Sequence, residues 1–138
     1  MKKIAFIINY DYRKWMGGIN VIKNLVDSLK LLSTEYDVVL VVKKNLSNDE
    51  KSYLKNYNLL ETDFFSNRSF AFKLLNKLLV IFFGKSFIYD NFFKRNNINI
   101  VSHINIFNYN LFFGRKSVVK SFSFVTDLQH IYFKKNFS

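Results

Sequence analysis

The sequence predicts an α/β domain: an open, mainly parallel sheet with helices on both faces. Three observations carry this. Short continuous apolar runs recur along the chain, the mark of strands covered on both sides. Amphipathic helical patterns separate them. Polar residues cluster directly after the apolar runs, where ligands of parallel sheets bind. The length, 138 residues, fits one domain. With 49% apolar and 22% charged residues, the balance is that of a globular chain.

The first strand is predicted over residues 4–8, Ile-Ala-Phe-Ile-Ile. Met1, Lys2 and Lys3 precede it, but the apolar run is too short for a signal-peptide core. Residues 9–18 are a polar and aromatic loop ending on Gly17 and Gly18. A helix follows at once, because Ile19, Ile22, Leu25, Val26, Leu29 and Leu32 fall three and four apart and make one stripe. Lys23, Asp27 and Lys30 share another side, which should face water. Residues 38–42 are a β-branched second strand. Ser47 with Glu50 three residues later is a capping box, predicting a helix over 48–57. Strand, loop, helix and strand make a βαβ unit with parallel strands.

Residues 69–83 predict a long apolar helix carrying Lys73 and Lys77. Its apolar run falls short of the roughly 18–20 residues of a membrane span. It reads either as a domain helix with a solvated lysine edge, or as an interfacial helix on an anionic membrane surface. The first is the base case for an amphipathic helix; residues 68–95 hold six Lys or Arg against one Asp, which lends the second modest support. A short helix is predicted over 87–97, a third strand over 98–103, a helix or loop over 109–114, and a fourth strand over 117–125.

The net charge is +11, which raises the question of nucleic acid. The 21 basic residues are mostly Lys, whereas nucleic-acid readers favour Arg forks. With no Pro and abundant Asn and Phe, the composition is what A/T-rich coding produces. Nucleic acid is therefore not the expected partner. No cysteine is present, and two His with no Cys cannot make a zinc site of the usual spacings without carboxylates. No metal site is expected. Walker A, GxSxG and kinase signatures are also absent.

Three polar clusters should converge on one sheet edge: residues 9–18, His103 to Asn105 after the third strand, and Asp127 to His130 after the fourth. The glycines let a ligand approach the backbone at a helix start that favours anions, or simply make a turn. His130 could act as acid, base or donor with Asp127 orienting it, or the pair could be structural.

Gly17-Gly18-Ile19, followed by Asn24-Leu25 and Leu29, resembles the first loop and helix of bacterial family-4-type glycosyltransferases. Asp127-Leu128-Gln129-His130, followed by Asn136-Phe137-Ser138, resembles the D-x-Q-H…P-x-x-F-S segment of the same group. The resemblance frames the chain from both ends; its middle is matched only by element order. It implies the amino-terminal, acceptor-side Rossmann-like domain of a GT-B enzyme. Gly17 and Gly18 would lie beside the donor phosphates. His130 would sit close to the transferred sugar, with Asp127 supporting that edge. Arg13 and Trp15, by loop position, and His103 would shape the acceptor side. The implied partners are a sugar-nucleotide co-substrate and a glycan or lipid-linked acceptor, at the cytoplasmic face of the membrane and without a bound metal or cofactor. Lys134-Lys135 stands where the family often has Pro-Glu, which puts the turn after His130 in doubt. The family's donor-binding second domain has no counterpart before Ser138. The expectation is a glycosyltransferase half, inactive alone: a split gene, a frameshifted remnant, or one half of a two-chain enzyme completed by a separate carboxyl-terminal half. The other reading is a membrane-surface binding module without catalysis.

Overall fold

Every residue of the run Ile4 to Ile8 is buried, and alternate side chains go to opposite faces. Ile4, Phe6 and Ile8 join one hydrophobic cluster, and Ala5 and Ile7 the other. Such a strand needs cover on both sides, which is why its sequence does not alternate with polar residues. A computed structural model of the chain describes residues 1–8, 16–32, 35–65, 69–104, 114 and 116–123, with the backbone alone at 103, 104, 122 and 123. Nine elements are found among them: β1 Lys2–Ile8, α1 Met16–Leu32, β2 Tyr36–Val42, α2 Asn48–Leu54, β3 Leu59–Glu61, α3 Phe70–Phe83, α4 Phe87–Arg95, β4 Ile100–Ile104 and β5 Lys120–Ser123. The five strands form one sheet in the order β3-β2-β1-β4-β5, and every pair is parallel. The architecture is an open, Rossmann-like α/β fold.

The helices divide between the two faces. Ile19, Ile22 and Val26 of α1 and Leu54 of α2 pack with Phe6, Leu40 and Val42. Tyr89 and Phe93 of α4 pack on the other face with Phe65, Val101 and Val119, and Phe72 of α3 joins its margin. The predicted α1 stripe is buried at Ile19, Ile22 and Val26, but at the last turn Leu32 is 81% exposed. The lysine side of α1 does not simply face water. Lys23 Nζ lies 3.6 Å from the centre of the Tyr53 ring and Lys30 Nζ 4.9 Å from that of Tyr57. The Tyr57 hydroxyl donates to Asp27 at 2.8 Å. Burial, and then this bond to Asp27, push the Tyr57 phenol up to about 12.

The capping box at Ser47 forms as predicted: Ser47 Oγ accepts from the Glu50 N–H, and Glu50 Oε2 accepts from the Ser47 N–H at 2.8 Å. The helix it starts ends at Leu54, short of residue 57. Tyr57 must leave the helix to reach α1, and the Asn58 carbonyl already accepts from the Leu40 N–H at 2.9 Å. The chain then forms β3, which the sequence did not indicate. Three residues are too few to show a period, and the strand exists through its pairing with β2. So short an edge also limits pairing with other chains.

Helix α3 is capped at both ends, by Ser69 Oγ accepting from the Phe72 N–H and by Gly84 in the left-handed conformation, φ 73°. Only Asn76 and Val80 of this helix are buried. Helix α4 stops at Arg95 because Asn97 turns to φ 55°, and the Asn96 side chain donates back to the Phe92 carbonyl. Asn99 then ties three strands: its N–H donates to the Lys3 carbonyl, its side chain accepts from the Lys3 N–H, and its carbonyl accepts from the Lys120 N–H. Residues 117–119 are not strand. The Ser117 hydroxyl and the Val118 N–H both donate to buried Asp90, which holds this segment against α4. Among the described residues no helix is long and apolar enough to cross a membrane.

Candidate functional site

The sheet order locates the crevice. From β1 the chain winds one way, through β2 to β3, then returns to place β4 on the other side of β1. The reversal lies between β1 and β4, and connections leaving neighbouring strands in opposite directions open a crevice at their carboxyl ends. Ile8 ends β1 there and Ile104 ends β4. The next described element after β1 is α1, which starts at Met16.

Gly17 and Gly18 lie inside that first turn, not in the loop before it, since α1 begins at Met16. Gly18 is buried; Gly17 is exposed, and a side chain added there would meet nothing within 4 Å. Gly17 is thus not required by packing. No acidic residue occupies the first turn of α1. That turn therefore supplies no carboxylate to offset its backbone N–H groups or the positive end of the helix dipole.

His103 lies within β4 rather than beyond it, because the strand continues to Ile104. Here the ladder shifts. Ser102 pairs with Phe122 and Ile104 with Ser123, so His103 is an extra residue opposite β5. Bulges of this kind break regular pairing and bend a strand, and they are common beside binding sites. Arg13, Trp15, Asp127 and His130 lie outside the described residues, as do residues 109–113 of the helix or loop predicted over 109–114.

The structure adds two residues at this edge that sequence reasoning did not assign to it. Lys43 follows β2, and its ammonium lies 3.1 Å from Glu50, whose side chain is 9% exposed. Burial raises the Glu50 carboxyl, but the Ser47 backbone bond and the Lys43 ammonium outweigh it, and the net is below the usual value. The capping box identified Glu50; nothing in local spacing identifies Lys43 as its partner. The next lysine, Lys44, meets Asp63 at 3.6 Å, a pair too exposed to stabilise much. Beneath α1, Ile8, Ile19, Val42 and Leu46 bound a cavity of about 10 Å³, room for one water at most. A larger hollow, about 410 Å³ beside Met1, Lys2, Glu35 and Tyr36, opens at the opposite ends of the strands. That is the wrong end for a parallel-sheet ligand site.

Glu50→Gln is expected to destabilise the chain by about 1–2 kcal/mol at neutral pH, through the weakened cap and the stranded Lys43 charge. The folded-state carboxyl is depressed, so its contribution is present above the unfolded-state pKa and is lost as pH falls through the folded value. Urea midpoints of wild type and variant should converge in acid; an equal gap at every pH would reject the charge role.

Among the described residues no group of three or more His, Cys, Asp or Glu could hold a metal ion. What the edge offers is the backbone N–H donors of the first turn of α1, beside the β1/β4 crevice. No protein-family model, curated protein or solved structure matches the chain.

Proposed function

We propose that the chain is the acceptor-side domain of a sugar-nucleotide glycosyltransferase that extends a cell-surface polysaccharide or a lipid-linked acceptor. The observation that carries this reading is the position of Gly17 and Gly18: the first turn of α1, beside the strand-order reversal, with no acidic residue in that turn. Its N–H groups suit a diphosphate. As the bond from the sugar carbon to the diphosphate oxygen lengthens, negative charge builds on the leaving group. Fixed backbone dipoles stabilise that charge without reorganising. In this reading His130 hydrogen-bonds beside the transferred sugar, Asp127 supports it, and Arg13, Trp15 and His103 shape the acceptor side. These roles rest on the sequence resemblance and on loop position.

Gly17→Asp separates binding from folding. The position is open and exposed, so an aspartate fits and favours the helix dipole, leaving stability unchanged or raised by about 0.3–1 kcal/mol. Its carboxylate repels a diphosphate, so affinity for a nucleoside diphosphate sugar should fall about tenfold or more. Amide chemical shifts should map wild-type binding to Met16–Gly18 and Ser102–Ile104. Shifts confined to other amides, or equal affinity in Gly17→Asp, would overturn the reading.

A further inference from the structure

Helix α3 turns most of its apolar surface outward. Phe70, Leu74, Leu75, Leu78, Ile81 and Phe82 are all exposed, Phe82 at 76% and Ile81 at 62%. At 100° per residue, these six span one continuous arc of the helix. Asn76 and Val80 hold the opposite side against the domain. Lys73 and Lys77, both exposed, line one margin of the arc. Lys85 and Lys116 flank the carboxyl-terminal end, where the Lys116 side chain lies over Gly84 and the Lys85 ammonium lies 4.7 Å from the centre of the Phe87 ring. Among the described residues none of these four lysines forms an ion pair, and α3 itself carries no acidic residue. A narrow buried side, an outward apolar face and a lysine margin form an arrangement that a water-facing helix does not need.

We propose that this face of α3 lies in the surface of an anionic lipid bilayer. The inference is independent of the sugar-nucleotide reading. Two features select this occupant. Fourteen residues rise about 21 Å, too little to cross a bilayer but enough to lie along one. The lysines sit where an apolar face immersed to the acyl boundary would bring them to the headgroups, and anionic headgroups complement them. A second copy of the chain would instead bring like charge against like, in a molecule of net charge +11.

The test is flotation of the full chain with vesicles of phosphatidylcholine, with and without phosphatidylglycerol, and with no nucleotide present. Binding should require phosphatidylglycerol and weaken as salt rises. Ile81→Ser with Phe82→Ser should lower partitioning on the order of tenfold or more. Lys73→Gln with Lys77→Gln should lower it by a similar factor. All four positions are exposed, and unchanged circular dichroism would show that the fold is kept. Equal binding to neutral vesicles at every salt concentration would overturn the proposal. So would undiminished binding by either double variant. A concentration-dependent dimer in sedimentation, abolished by Ile81→Ser with Phe82→Ser, would also overturn it and assign the face to a second copy.

Discussion

Replacing Phe93 with alanine is expected to lower unfolding free energy by about 3–5 kcal/mol. Phe93 is fully buried at the centre of the face covered by α4. Its ring contacts Phe92 edge-on at 5.5 Å between centroids and Phe65 at 6.2 Å. Val101 and Ala5, on the two strands of the switch point, belong to the same cluster. Strand backbones joined by ladder bonds cannot collapse far into the vacated space, so the cavity term should be felt nearly in full. A domain of this size holds only about 5–15 kcal/mol in total. The urea midpoint should therefore fall sharply with little change in slope, and Phe93→Leu, which keeps most of the volume, should cost under about half as much. A loss below about 1 kcal/mol for alanine would mean that α4 does not anchor the sheet.

The second large effect concerns a backbone approach that no local pattern announces. Gly114 has φ 80°, and a Cβ there would stand 2.4 Å from the Gly84 carbonyl oxygen and 2.7 Å from its carbon. Those atoms are backbone, and the same carbonyl accepts the Lys116 N–H at 2.8 Å. They cannot swing aside as a side chain would. Gly114→Ala should cost about 2–4 kcal/mol, combining left-handed strain with overpacking. Gly84→Ala is the control. It has the same left-handed strain, φ 73°, but its Cβ would meet the flexible Lys116 side chain at 3.1 Å, so the loss should be about 1 kcal/mol. Thermal unfolding of the pair tests the ranking. Equal losses would show that the close approach contributes nothing. The contact also bears on α3, because Gly84 is its cap; a displaced cap would shift the helix whose outer face is proposed to meet the bilayer.

Legibility in the sequence followed the range of the forces. Continuous apolar runs marked β1 and β2 within two residues, because strands buried on both faces tolerate no polar interruption; β4 was marked as closely despite Ser102 and His103. The capping box at Ser47 and Glu50 marked the start of α2, since both of its bonds lie within four residues. The end of α2 was not legible, because what stops it is Tyr57 reaching across to Asp27. Edge strand β3 was invisible for a related reason: its hydrogen bonds go to β2, and its own three residues carry no period. At the candidate site, the glycine pair was legible as a pair. Its place inside the first turn of α1, and the open space at Gly17, were not.

By itself the sequence determined the class of the domain, the parallel βαβ start and the apolar character of α3. Those properties are written in spacing and composition. Only the tertiary structure decided the order β3-β2-β1-β4-β5, the reversal between β1 and β4, the bulge at His103 and the pairing of Lys43 with Glu50. It alone decided that α3 buries Asn76 and Val80 and turns its apolar arc outward. Local patterning states which residues can leave water. Which of them do leave it depends on how much neighbouring surface is there to receive them.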